Sequence, residues 1–497
     1  MDESTLSQLC STIPFISSTP LPVGLAAVFT AIGTLIREFR QAPPTPASTY
    51  SFETKLHASV LEIGRVIMEC TLNNVEPATP EEAPPRLDFE GQEYRRKPKS
   101  YNRDLGTLFG SVQLERLLYE PLERGEKSIF PLEINLGVVA RRATPALAER
   151  VAEWATQQTQ DALRAIIERD HHLTWSVNTL RNVTAAASDG MAPQLHAAQV
   201  AQLLKWLDQA DRSRGKHRVT LSVGRDGIFL PLRDEENYKD GAVATVSVHD
   251  RRGKRLGTVY LGRMPEAFQI TLSDELTRLV QDVLRQWSGS RPRLVYVTDA
   301  GFHPTWYFNH VLRSMRDPKQ PKRYLEWTWI VDFYHASQYV SKLAESLFGD
   351  TREGKDWARK MCKWLKHKPK AVYRVLHSAA RYHSEKHLSN KAEKTYQGAY
   401  AYLNEHSASM DYAAYRARGL PIGSGVTEAA CKTVFTQRFK QSGMTWGVEH
   451  GQRILNLRLT RLSHVWSRVY AAYLALCPTI TMETELAFSK ILTQKAA

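Results

Sequence analysis

The chain has little cysteine and pairs none of it. Cys10, Cys70, Cys362, Cys431 and Cys477 are scattered through 497 residues with no C-x-x-C spacing. That argues against a disulfide framework and a thiolate zinc site, and it suits a reducing cytosol. Acidic residues are in deficit, 52 Asp and Glu against 66 Lys and Arg, for a net charge of +14. A positive excess spread over such a length points to a polyanionic partner. Long apolar runs are missing too. The stretch Leu21 to Ile36 is uncharged, but it is short for a membrane span and carries Pro22, Gly24 and Gly33, so a buried or self-associating helix is expected there and no membrane partner. Asp2 and Glu3 stand where a signal peptide is basic. No Gly-Lys-Ser/Thr follows Gly423-Ser-Gly425, so no phosphate loop and no nucleotide site is expected.

What is present changes character along the chain. Residues 1–40 predict short helices, Gln41 to Thr49 a Pro-rich linker, and Phe52–Leu72 a further helix. Alternation around Gly110 predicts a hairpin over 101–119, flanked by the basic Tyr94-Arg-Arg-Lys-Pro-Lys99, which can touch phosphates. A helix over Thr159–Asp170, a break at His171–Thr174 and a helix over Ser176–Ala187 capped by Ser176 have the outline of a helix-turn-helix or of a plain helical hairpin. In the first case Arg181 and Asn182 face DNA. From 216 the order is three strands (217–224, 242–249, 256–262), a helix (272–287), a strand (293–298), a helix (304–315) and a strand (327–331). Helices then fill 336–415, 425–442 and 447–476. That order gives a mixed α/β fold of the ribonuclease-H-like class with a large helical insertion. Five segments follow: a helical, oligomerising region (1–100), a DNA-binding region (101–215), the first part of the core (216–335), the insertion (336–420) and the closing core helices (421–497).

Three acids punctuate the core: Asp226 after the first strand, Asp299 at the end of the fourth, and Glu428 in the first turn of a helix. Carboxylates at adjacent strand ends of an open sheet are well placed for a site. Neighbouring strands run about 4.8 Å apart, so Asp226 and Asp299 can share an ion, which favours Asp299 over Asp332 one strand further out. Three hard-oxygen groups suit magnesium, and paired magnesium ions cut and rejoin phosphodiesters. Each acid also has an ordinary reading: Asp226-Gly227 as a turn, Asp299 as a loop acid, Glu428 as an answer to the helix dipole. Asp234, Glu235 and Asp240 are nearby rivals to Asp226.

The segments Val297-Thr-Asp-Ala-Gly301, Val331-Asp-Phe-Tyr-His335 and Gly423-Ser-Gly-Val-Thr-Glu-Ala-Ala-Cys-Lys432 resemble those of bacterial insertion-sequence DDE transposases of the ISKra type, relatives of the eukaryotic Mutator-like transposases. Leu256-Gly-Thr-Val-Tyr-Leu-Gly262, Ser442-Gly-Met-Thr-Trp446 and Ile454-Leu-Asn-Leu-Arg458 add to the likeness, which covers roughly 100 to 470. The resemblance implies a catalytic and metal-binding trio of Asp226, Asp299 and Glu428. It places His335 beside a metal, a phosphate or a carboxylate, where a satisfied core histidine is the plain alternative. Two departures stand out: Gly224-Arg225 precedes the first acid, and no cysteine accompanies the 101–119 hairpin, so a zinc ribbon is not expected there.

Residues 350–394 hold thirteen Lys or Arg against five Asp or Glu, with Trp357, Trp364, Tyr373 and Tyr382 interleaved. Lys363, Lys366 and Lys370 are candidate DNA contacts, as is Lys432, one turn beyond Glu428. His383 and His387 have a zinc-like spacing with no third ligand. The expectation is a DDE transposase using magnesium, or manganese in its place, with two ions. Its partners are transposon-end and target duplexes and at least a second copy of itself, in the cytoplasm and at the nucleoid. The rivals are a silent DNA-binding derivative and a structure-specific nuclease on the same core. An accessory protein or guide RNA stays open.

Overall fold

A computed structural model describes residues 24–481 apart from 78, 124 and 234. Cys10 and most of the first expected helices lie outside the described residues. Contacts divide the chain after Gly190 and after Tyr470.

In the first unit, α1 (Leu25–Gln41) and α2 (Pro46–Asn73) take up most of the expected Pro-rich linker. Pro46 sits at the first helical position, where its missing N–H costs nothing, and Thr45 caps the helix by accepting from the Ser48 amide at 3.1 Å. The expected hairpin is part of a three-stranded antiparallel sheet of β1 (Arg86–Phe89), β2 (Gln92–Thr107) and β3 (Gly110–Pro121). Its basic flank lies inside β2. Lys97 pairs with Glu120 at 2.6 Å and the Arg96 guanidinium donates to the Ala83 carbonyl, so both are already engaged within the unit. Helices α3 (Pro145–Ala155) and α4 (Gln160–His171) follow. Ser176 caps α5 (Val177–Asp211) as expected, accepting from the Thr179 amide at 3.1 Å. The helix does not stop at Ala187. It continues through Pro193 to 35 residues, and its residues from 191 on belong to the second unit, where Val200, Leu203 and Leu207 are buried in that unit's core.

The second unit is built on one mixed sheet. β4 (Thr220–Leu230), β5 (Lys239–His249) and β6 (Arg255–Arg263) are antiparallel neighbours. β7 (Arg293–Thr298) runs parallel to β4, and β8 (Trp327–Val331) runs parallel to β7. The spatial order β8-β7-β4-β5-β6 puts the first strand of the unit at the centre and the fourth beside it. β5 is buried along almost its whole length, which its run of Ala, Val, Thr and Ser permits on both faces. On one face α6 (Ile270–Gln286) lays Leu272, Leu276, Leu279 and Val283 over Leu221, Val223 and Tyr296. On the other face Val295, Val297, Ile330 and Val331 meet the helical segment α8 (Phe333–Phe348), α9 (Arg352–His367), α10 (Ala371–Ser384) and α11 (Asn390–Glu405). Between β7 and β8, the short α7 (Phe302–Tyr307) runs on into a π-helical turn.

One expectation fails in detail. β4 does not end before Asp226. Its parallel ladder with β7 stops at Gly224, but its antiparallel ladder with β5 continues to Leu230 opposite Lys239. Asp226 therefore lies within a strand and just past the last residue shared by three strands.

Candidate active site

Side-chain alternation along β4 sorts the residues around Asp226. Arg225 turns into the α6 layer and is buried there. Its guanidinium donates to Ser273 Oγ at 2.9 Å and Gln269 Oε1 at 3.0 Å and lies 4.5 Å from the centre of the Tyr307 ring. Gly224 and Asp226 face the opposite way, toward α12 (Gly425–Ala430). A Cβ at Gly224 would come within 2.1 Å of Thr427 Oγ1, and that hydroxyl also meets Thr245 Oγ1 at 2.8 Å. The helix is thus seated directly on β4 and β5. One turn after Thr427, Cys431 donates its thiol to Asp226 Oδ2 at 3.2 Å, while the Gly227 amide donates to Oδ1 at 2.8 Å.

Asp299 follows β7 in a tight turn. Its Oδ1 accepts from the Gly301 amide at 2.9 Å, Ala300 adopts positive φ, and the Tyr402 hydroxyl donates to the Asp299 carbonyl at 2.6 Å. Glu428 is exposed on α12, with Ser424 Oγ donating to its Oε1 at 3.0 Å. α12 is only six residues long and passes into a π-helical turn at Cys431, so the first-turn dipole effect expected for Glu428 is a short helix's contribution. Asp226 feels the charges of both other acids. Burial first, then the negative charges of Asp299 and Glu428, push the Asp226 carboxyl up to about 6 against the opposing pull of the Cys431 thiol and the Gly227 amide. Burial and the neighbouring Asp226 charge push the Cys431 thiol far above its ordinary range.

Asp332 is fully buried. Its Oδ1 caps α8 by accepting from the His335 amide at 2.7 Å, and its other oxygen accepts from the Ser424 amide. The Phe333 amide donates to the Ile422 carbonyl at 2.9 Å. The Asp-Phe-Tyr-His and Gly-Ser-Gly segments are therefore stitched together, and Asp332 positions the turn that carries Glu428. The His335 ring sits edge-on to Tyr339 and Tyr402, 5.3 and 5.8 Å away, and Tyr339 stacks on Tyr402 at 3.8 Å. Among the described residues no hydrogen bond joins the His335 ring to a carboxylate. It braces the tyrosine that holds the Asp299 loop.

The outlying motifs have similar supporting places. The Arg458 guanidinium donates to the carbonyls of Val434, at 2.8 Å, and of Thr433, clamping the turn after Glu428. Trp446 pairs with the β4–β5 hairpin through the Arg233 amide at 3.0 Å. Two acidic-edge residues were not singled out in the sequence reading as part of the site. Cys431 is one. Asp240 is the other, considered only as a rival to Asp226: burial raises its carboxyl against the pull of His303, and its oxygens flank Gly227. Asp240 is brought there by the β4–β5 register, and Cys431, 205 positions from its partner, by the seating of α12 on β4.

Of the candidate DNA contacts, Arg181, Asn182, Lys363, Lys370 and Lys432 are exposed. Lys366 is half-buried with its ammonium 5.2 Å from the Phe333 ring centre, and the Lys370 amide donates to Asp411 at 3.3 Å. His383 bonds Glu393 at 2.8 Å, and α10 ends at Ser384, so His387 does not share its helical face.

The donor set at the acidic edge is hard oxygen with uncompensated negative charge, which suits a divalent cation such as magnesium. As they stand, among the described residues no three His, Cys, Asp or Glu side chains are close enough to hold one ion together. Among the same residues no helix is long and apolar enough to cross a membrane. Comparison of the chain with protein-family models and with curated proteins returns no match.

Proposed function

We propose that the chain is a DDE transposase on a ribonuclease-H-like core, which cleaves DNA strands at terminal inverted repeats and joins the freed 3′-OH to target DNA. The observation that carries this reading is geometric: the helix bearing Glu428 is seated through Thr427 and Cys431 on β4, the strand that bears Asp226, beside β7, whose end leads into Asp299. The central first strand with the fourth strand beside it, the net charge of +14 and the basic helical segment support it.

Asp226, Asp299 and Glu428 would hold magnesium, or manganese in its place, two ions in all. Bound there, the cations supply Lewis-acid charge at the attacking and leaving oxygens of the phosphodiester. The chain's own groups do the positioning. Ser424 aims Glu428, Cys431 and the Gly227 amide aim Asp226, and Tyr402, braced by His335, fixes the Asp299 turn. Exposed Lys432 neutralises a phosphate of the scissile strand, with Arg181, Asn182, Lys363, Lys366 and Lys370 gripping the duplex. Two ends have to be paired, so the working species is a homodimer or larger.

The test uses duplexes copied from the DNA flanking the gene. Alanine at Asp226, Asp299 or Glu428 should lower nicking and joining by at least about a hundredfold, as expected when an electrostatic element of a reaction centre is removed, and leave duplex binding intact. If Asp299→Ala still joins ends in magnesium, the assignment is wrong. A second reading is a DNA-binding protein that no longer cuts. Tight binding of the flanking duplex by the natural chain, with no nick in magnesium or manganese, would select it.

A further inference from the structure

The helical segment carries a cleft of its own between α9 and α10, about 600 Å³ in volume. That lies within the roughly 300–1,000 Å³ typical of sites for small organic groups. Its walls combine two kinds of side chain. Trp364, Tyr373 and Tyr382 present aromatic surface, and Lys360, Arg374 and Arg381 present positive charge. No carboxylate lines it. The Lys360 ammonium stands 5.1 Å from the Trp364 ring centre and the Arg381 guanidinium 5.6 Å from that of Tyr382. Arg381 also pairs with exposed Glu385 at 3.1 Å. Among the described residues, neither Lys360 nor Arg374 has a carboxylate within salt-bridge distance. Tyr373 is 53% exposed, a large ring left in solvent beside two unpaired cations.

The floor is finished differently. Trp357 is buried and donates its indole N–H to Ser378 Oγ at 3.0 Å, and Met361 is buried beside it. The polar groups below are satisfied, so the recognition chemistry sits at the rim.

We propose that this cleft binds an unpaired nucleotide, its base against the aromatic walls and its phosphate against Lys360 and Arg374. Within a duplex, base faces are already stacked on each other and only phosphates are on offer. Aromatic faces gain nothing from such a ligand, whereas a base drawn out of the stack or on a single-stranded tail is stabilised by stacking on them. A surface built only to grip duplex needs cations without rings. The cleft uses Lys360 and Arg374, different cations from Lys363 and Lys370, so one helical segment offers separate duplex and unpaired-nucleotide contacts. The proposal rests on the nucleic-acid reading for its partner but not on the carboxylate assignment.

The nucleotide can belong to a DNA strand or be free, and the experiment separates the two. Full-length protein carrying Asp299→Ala, in buffer without divalent cations, is titrated with three probes: a blunt duplex, the same duplex with a short tail containing 2-aminopurine, and dAMP. The expected result is tighter binding of the tailed duplex, with quenched 2-aminopurine fluorescence. Tyr373→Ala should weaken tailed-duplex binding roughly tenfold, in line with one lost stacking contact, and leave blunt-duplex binding unchanged, with Tyr373→Phe restoring it. Arg374→Glu should act in the same direction and reduce the salt dependence. Circular dichroism melts guard against unfolding, and exposed Tyr373 and Arg374 should leave them unmoved. Equal affinity for blunt and tailed duplex without binding of dAMP, or a tail preference untouched by Tyr373→Ala, would overturn the cleft proposal and leave the transposase reading standing. Binding of dAMP alone, with no tail preference, would overturn the strand as the source. Failure to bind any duplex would overturn both readings together.

Discussion

At the scale of single residues, Asp226 shows how the site is both built and strained. Its carboxyl ordinarily titrates near 3.8 and is raised to about 6 by burial and by the charges of Asp299 and Glu428. The folded pKa exceeds the unfolded one, so the group's contribution to stability is complete below 3.8, falls away through 6 and is a net cost at neutral pH. Asp226→Asn should therefore stabilise the cation-free protein at pH 8 by about 1–3 kcal/mol, the free-energy equivalent of a shift of this size. The gain should vanish toward pH 3.5. Thermal melts across that range in the presence of a chelator check it, and a gain independent of pH would contradict the charge-crowding explanation. The three carboxylates were legible in the sequence as candidates, because acids beside apolar strand-like runs are conspicuous. The thiol on Asp226 was not, since Cys431 meets it only once α12 is seated on β4. His335 and Asp332 also needed the structure. Their spacing was visible, but not that one braces Tyr402 and the other caps α8 while holding the Ser424 amide.

At the scale of elements, the close approach of α12 to β4 sets the position of Glu428. Gly224 permits it, because a side chain there would collide with Thr427. Gly224→Ala should push α12 outward at a cost of about 1–3 kcal/mol, typical of overpacking, with a lowered melting temperature and a larger loss of strand cleavage than of duplex binding. Unchanged cleavage would show that the seat of α12 does not govern the site. The core strands were readable from alternation and β-branched runs, and β7 and β8 fall at 293–298 and 327–331 as expected. The end of β4 was misjudged because Asp226-Gly227 is a turn dipeptide. Pairing with β5 overrides that local preference and carries the strand on to Leu230. The end of α5 was misjudged for a related reason: tertiary packing of Leu203 and Leu207 prolongs a helix whose local pattern fades near Ala187.

At the scale of the whole molecule, the proposed function and the net charge of +14 together predict a salt-dependent grip on DNA. The logarithm of the duplex binding constant should fall linearly with the logarithm of salt, and each phosphate contact removed by substitution at Lys363, Lys370 or Lys432 should reduce the steepness of that slope by about 0.9. Filter binding at several salt concentrations measures this, and a slope near zero would argue against phosphate contacts. The order of strands and helices along the sequence pointed to a mixed α/β fold, and β4 to β8 form one mixed sheet. It did not give the division after Gly190 and Tyr470, which depends on contacts between distant segments.

The central claim, that Asp226, Asp299 and Glu428 act as one cation-binding unit, is tested most directly by manganese binding followed by electron paramagnetic resonance. The expected result is saturable binding to the natural chain that each of Asp226→Ala, Asp299→Ala and Glu428→Ala weakens by at least about tenfold, the equivalent of roughly 1.4 kcal/mol, while the fold is retained. Manganese binding left intact by any one of the three substitutions would contradict it.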